Sequence, residues 1–207
     1  MPGEFPETVY DAFDSIAERY SHKPAIIYLG TSYSYERIRD WTGRFATALS
    51  DIGVREGEKV ILYIPNCVQW VIAWLAIQRL GATAVPITPI YASLDLLYVA
   101  SDSEAETIVC TDTNFGYVKQ VLPESKLKRV IVTNLADLLP LWKRTFGWVF
   151  DKVPKGKTSR DANTFSFRGM IHKYPPHPPG SSGNGNKVAE ILYTGGTTKF
   201  PKGVPIT

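Results

Sequence analysis

The chain reads as an α/β protein with a largely parallel sheet flanked by helices. Three observations predict it. Apolar runs of strand length at 59–64, 106–111 and 129–133 are nearly continuous rather than alternating, as in strands covered on both faces. The stretches between them carry apolar residues at helical spacing. Strand and helix signals then take turns along the chain, and that order builds a parallel sheet with right-handed crossovers. No internal repeat interrupts it.

Each element has its own warrant. In 6–20, Val9, Phe13, Ile16, Ala17 and Tyr20 fall on one helical face. A strand is predicted at 25–29 and a second, short one at 33–35. The helix that follows runs to about Asp51, with Ile38, Trp41, Phe45, Ala48 and Leu49 together, and Gly53 ends it. Its start is soft, because Ser34-x-x-Arg37 is not a capping box. After the strand at 59–64, Asn66 is predicted to cap a helix over 68–80, terminated by Gly81. Further strands are predicted at 83–87, 106–111 and 129–133, and a helix at 94–101.

The stretch 136–150 differs in kind. Leu138, Leu139, Leu141, Trp142, Phe146, Trp148, Val149 and Phe150 concentrate apolar mass, and Lys143, Arg144, Lys152, Lys155, Lys157 and Arg160 add positive charge. Two readings stand side by side. One is peripheral contact through 136–157 with an anionic membrane; the other is a helix packed on the rest of the protein or on a homodimer partner. Residues 172–187 are rich in Pro, Gly, Ser and Asn and read as a loop.

Composition narrows the function. The chain has 207 residues, 44% hydrophobic and 21% charged, enough to bury the core of one domain. A net charge of +3 is too mild to imply nucleic acid. Cys67 and Cys110 give no disulfide framework and suit a reducing, cytoplasmic interior. Cys67 as a nucleophile lacks a histidine nearby in sequence. His172 and His177, placed in the proline-rich loop, lack the cysteines or carboxylates of a metal site. The start has neither the basic residues nor the apolar run of a signal peptide. The longest apolar helical stretch, 68–80, contains Gln69, Gln78 and Arg79 and is too short to span a bilayer.

The most informative stretch is Ile191-Leu192-Tyr193-Thr194-Gly195-Gly196-Thr197-Thr198-Lys199-Phe200-Pro201-Lys202-Gly203-Val204. Glycines let backbone N–H groups approach an anion, threonine hydroxyls donate to phosphate oxygens, and lysine supplies a compact charge. A Walker loop fails, since no Gly-Lys-Ser/Thr follows four residues after Gly195 or Gly196. A dinucleotide fingerprint begun at Gly183-Asn184-Gly185 fails at Val188. The flanks, 189–193 and 203–206, read as strands, so the stretch is a hairpin-like loop; Pro201 and Pro205 argue against a helix. An ordinary Gly/Thr-rich turn is the bland alternative, and Lys202 within Pro-Lys-Gly weighs against it.

Tyr193-Thr194-Gly195-Gly196-Thr197-Thr198-x-x-Pro201-Lys202-Gly203-Val204 resembles the signature loop of the AMP-forming adenylating enzymes. The likeness extends through Pro65-Asn66-Cys67, through 81–91 (Gly-Ala-Thr-Ala-Val-Pro-Ile-Thr-Pro-Ile-Tyr) and through 31–38, and so covers nearly the whole chain. Gly195-Gly196 and 151–157 look most like the long-chain fatty-acyl-CoA branch. One position departs: Lys199 stands where the family usually has glycine. It adds charge near the phosphates, and also a Cβ where a positive φ would cost about 1 kcal/mol or more.

The resemblance implies the N-terminal part of the large domain of an acyl-adenylate-forming enzyme: an α/β region over 1–171, the loop 172–187, and strand–phosphate loop–strand over 188–207. It implies ATP, Mg²⁺ and coenzyme A as co-substrates and ion, and a fatty acid or other carboxylic acid as substrate. Gly195 and Gly196 would wrap the β- and γ-phosphates, Thr194, Thr197 and Thr198 would donate to them, and Lys202 would pair with a terminal phosphate. Thr197 is the candidate nearest Mg²⁺. The family's catalytic lysine and adenine, ribose and metal sites lie downstream of this loop, so no catalytic residue is assigned here, and the chain alone is expected to be inactive. Alternatives are a ligase for another acid, or a non-catalytic nucleotide-binding half of a split enzyme.

Overall fold

A computed structural model describes residues 8–149, 154–159, 161–178, 185–194 and 201–207, with side chains at the end of the sixth helix described only through Phe146. The elements in chain order are α1 (Val9–Arg19), β1 (Pro24–Tyr28), β2 (Thr31–Ser34), α2 (Tyr35–Asp51), β3 (Lys59–Tyr63), α3 (Val68–Arg79), β4 (Thr83–Pro86), α4 (Ser93–Ser103), β5 (Thr107–Thr111), α5 (Phe115–Val121), β6 (Arg129–Thr133), α6 (Leu141–Val149), β7 (Thr164–Ser166), α7 (Phe167–Lys173), β8 (Glu190–Tyr193) and β9 (Gly203–Ile206). Seven strands form one sheet in the order β7-β6-β5-β3-β4-β8-β9. Every neighbouring pair is parallel except β8–β9.

The continuous apolar strands explain the layers. Side chains alternate across a strand, so Val60 and Leu62 enter one core with α2, α3 and α7, while Ile61 and Tyr63 enter another with α4 and α5. Val109 and Ile131 join the first core; Ile108, Cys110 and Val130 join the second. Phe45 of α2 meets Phe167 of α7 with ring centroids 4.2 Å apart. Arg39 holds Asp14 through two bonds of 2.8 and 2.9 Å, tying α2 to α1.

An ion cluster around the buried Arg129 closes the amino end of the strands. Arg129, at the start of β6, donates to Thr107 Oγ1 at 2.7 Å, Glu58 Oε1 at 2.5 Å and Glu106 Oε2 at 3.1 Å. It therefore joins β6 to β5 and to the residue before β3. A fork of donors suits arginine for this.

The expected elements are present, with several corrections. Asn66 does not cap α3: Cys67 occupies the N-cap position and its side chain makes no capping bond. The start of α2 is capped, since Ser34 Oγ accepts from Arg37 N at 3.3 Å; a cap needs only the hydroxyl, not the full box. Three elements escaped the sequence reading: α5, β7 and α7. His172 lies in the last turn of α7, not in a loop. The apolar stretch from 136 is not one helix: Ala136, Leu138 and Leu139 are buried, and α6 begins only after Pro140.

Candidate functional site

The candidate loop leaves the sheet at the carboxyl end of β8, the edge where open parallel sheets place ligand crevices. β8 pairs with β4 on one side at Ala84↔Glu190 and with β9 on the other through Glu190↔Ile206, Ile191↔Pro205, Leu192↔Val204 and Tyr193↔Gly203. Proline at 205 is tolerated because β9 is the last strand of the sheet. The hairpin predicted from the flanks is present.

Two predicted site residues close its neck. Thr194 N donates to Lys202 O at 3.1 Å, and Lys202 N approaches Thr194 Oγ1 at 3.4 Å. Residues 195–200 lie outside the described residues, so Gly195, Gly196, Thr197, Thr198 and the divergent Lys199 do too. The structure thus brings Thr194 and Lys202 together and describes no more of the predicted set. Lys202 is exposed and takes part in none of the ion pairs among the described residues. The contact with Thr194 is made by the Lys202 backbone, which leaves its exposed side chain at the loop mouth, where an ammonium suits an anion.

The neck is held from beneath by residues that sequence reasoning missed. Tyr98 of α4 donates its phenol to Pro201 O at 2.8 Å, and Tyr193 donates to Asp102 Oδ2, one turn on, at 2.6 Å. α4 therefore braces both arms of the hairpin. Burial and then the Asp102 carboxylate push the Tyr193 phenol well above its ordinary range, which keeps it a donor. Gly203 fits under Tyr193: a Cβ there would stand 2.9 Å from Ile191 Cγ2 and 3.2 Å from Tyr193 Cζ.

The strand itself is anchored by α3 and β4. Trp74 Nε1 donates to Glu190 at 3.0 Å, Gln78 Nε2 to Ala189 O at 2.9 Å, and Thr83 Oγ1 to Val188 O at 3.0 Å. Gln78 had counted only as an interruption of an apolar helix. No local pattern marks these residues, because their partners lie about a hundred positions away.

Beside β4, the 86–91 segment is pinned by Asn114 Nδ2 on Pro89 O at 2.8 Å and by the Tyr63 phenol on Tyr91 O. On the same sheet edge, β5 to β7 end at a cavity of about 550 Å³ lined by Asp112, Asn134, Asp137 and Ser166. Its carboxylates are committed to structure: Asp112 accepts from Asn134 Nδ2 at 2.9 Å and Gly156 N at 3.1 Å, and Asp137 accepts from Asn134 N at 2.9 Å. Cys67 is buried, and desolvation pushes its thiol up to about 11, which removes the thiolate a nucleophile needs. Among the described residues no group of three or more His, Cys, Asp or Glu could hold a metal ion.

Comparison with known proteins gives a consistent picture. The profile of the AMP-binding enzyme family matches residues 13–207. A long-chain-fatty-acid–CoA ligase of Haemophilus influenzae is 30% identical over 207 residues, covering 97% of this chain and 36% of that protein. A crotonobetaine/carnitine–CoA ligase of Escherichia coli is 28% identical over 206 residues, covering 94% of this chain and 35% of its own length. The crystal structure of a long-chain-fatty-acid–CoA ligase from Archaeoglobus fulgidus superposes with a TM-score of 0.77 at 30% identity, covering 98% of this chain and 37% of that one. The chain thus spans little more than a third of the relatives it matches.

Proposed function

This chain belongs to the AMP-binding enzyme family, and from that premise we propose that it supplies the ATP phosphate loop of an AMP-forming acid–thiol ligase. The reaction joins a carboxylate to ATP, releasing pyrophosphate, and then passes the acyl group from the adenylate to coenzyme A. The observation that carries this reading is the closed neck: Thr194 and Lys202 meet at the carboxyl edge of the sheet, and Lys202 stays exposed.

The difficulty in the first step is negative charge, because a carboxylate must approach a phosphate. Lys202 offsets charge on the terminal phosphates, and Thr194 donates its hydroxyl to a phosphate oxygen. The glycines and threonines at 195–198 complete the cradle in this proposal. Mg²⁺, when bound, supplies Lewis acidity to the leaving pyrophosphate. Its candidate ligand Thr197 lies outside the described residues and no carboxylate cluster stands ready among the rest, so the roles given to this chain rest on its own groups.

For the acid, a fatty acid is favoured by the long-chain ligases at 27–30% identity over nearly the whole chain. The crotonobetaine/carnitine ligase at 28% keeps a second acid class in play. Because the matched ligases are far longer, ligation itself is assigned to a ligase containing this segment. Titration calorimetry of the 207-residue chain with ATP tests the phosphate role. Lys202→Ala should weaken binding about tenfold, the scale of one charge-assisted hydrogen bond. Equal affinity in wild type and variant would remove Lys202 from the site. Pyrophosphate exchange by the ligase containing this segment, run with fatty acids and with crotonobetaine, decides the acid.

A further inference from the structure

An exposed apolar face away from the phosphate loop is shared by two elements. On α6, Leu141, Trp142 and Phe146 are 65%, 67% and 59% exposed, and the β1–β2 hairpin presents Ile27 at 75% and Leu29 at 60%. Lys143 joins them: its Nζ donates to Leu29 O at 3.0 Å and to Thr31 Oγ1 at 2.9 Å. A lone exposed leucine is ordinary, but large apolar side chains clustered on adjoining elements mark an interaction surface.

The charge around this face is mainly positive. Residues 19–35 and 138–149 hold Arg19, Lys23, Lys143 and Arg144 and no Asp or Glu. A groove of about 510 Å³ runs alongside, lined by His22, Arg37, Trp41, Leu138, Leu139 and Pro140. Arg37 lies over the Trp41 ring at 5.4 Å, and Glu36, 3.5 Å from His22, is the carboxylate at its rim.

We infer that α6 and the β1–β2 turn form one face that docks on an anionic lipid bilayer. Trp142, Phe146, Leu29 and Ile27 enter at the headgroup level while the surrounding cations meet lipid phosphates. The contact is narrower than 136–157, because Ala136, Leu138 and Leu139 are buried, and it gains the hairpin, which periodicity within 136–150 could not reveal. A second copy is the weaker occupant. A two-fold interface sets a patch against itself, and here that would press cations against cations. The face shares no residue with the phosphate loop, so it stands independently of the ligase reading.

Cosedimentation of the 207-residue chain tests it, using phosphatidylcholine vesicles with and without phosphatidylglycerol at low and high salt. Binding should require phosphatidylglycerol and fall as salt rises. Trp142→Ser with Phe146→Ser should lower vesicle affinity about tenfold or more. Leu29→Ser, in a separate element, should lower it by a smaller factor, with circular dichroism unchanged in each. No binding to anionic vesicles, or equal binding by the folded variants, overturns the inference. So does a wild-type dimer in sedimentation velocity that these substitutions dissolve, since that gives the face to a second copy.

Discussion

β3 and β8 are strands of similar length in one sheet, held in different ways. β3 is central, buried along nearly its whole length, and its side chains feed both cores. β8 shares one register pair with β4, and its own residues are only partly covered. Its fixed points are side-chain hydrogen bonds: Trp74 and Gln78 from α3, Thr83 from β4, and Tyr98 and Asp102 from α4. Burial is non-directional and cooperative, so β3 moves only if the domain unfolds. Hydrogen bonds at a half-covered edge are directional and separately breakable. A loop proposed to admit a nucleotide and release a product is better carried on the second kind of support.

The largest test of that contrast is in the centre. Leu62→Ala empties a fully buried site and should cost about 2–5 kcal/mol of global stability in urea denaturation. Loss confined to the β8–β9 hairpin, with the rest of the sheet intact, would break the comparison.

A smaller effect should come with alkaline pH. Burial pushes the Cys67 thiol from 9.0 up to about 11, and burial with the Asp14 carboxylate pushes the Tyr10 phenol up to about 12. The folded state then holds protons that the unfolded chain gives up. Stability from these groups is full below about pH 9 and should fall as pH rises through 11 to 12. Cys67 should accordingly resist alkylation at pH 8 until the protein is unfolded. Rapid labelling of the native chain would show that the centre opens more readily than its burial implies.

The smallest effect belongs to the edge. Tyr98→Phe removes one bond to Pro201 O and should cost about 0.5–1.5 kcal/mol locally. Amide exchange at Thr194 should quicken, ATP affinity should drop a few-fold, and the urea midpoint should hardly move. A large midpoint shift would mean that α4 and the hairpin are one cooperative unit with the core.

Most of the sheet was legible because its signals are local. Runs such as Arg129–Thr133 and Lys59–Tyr63 need no partner to be recognised as buried strands, and Gly53 and Gly81 mark helix ends by their own backbone freedom, with φ of 98° and 66°. The short elements β7 and α7 were missed for the converse reason: three and seven residues carry too little periodicity to stand out. Asn66 misled because a good capping side chain one residue early looks the same in sequence as one in place. At the hairpin neck, Thr194 and Lys202 were singled out by their chemistry and spacing, and the structure sets them side by side. Tyr98, Asp102, Trp74 and Gln78 were not, since each acts on a residue about a hundred positions away.

By itself the amino-acid sequence determined the α/β class, the hairpin character of the Gly/Thr-rich loop and its kinship to adenylating enzymes, because local hydrophobic pattern and local loop chemistry settle those matters. Tertiary structure alone decided the strand order that sets β8 beside β4, the α4 brace beneath the loop, the Arg129 clamp, and the union of α6 with the β1–β2 turn. Each of these joins residues distant in the chain, and which distant residues meet is selected by the packing of the whole core.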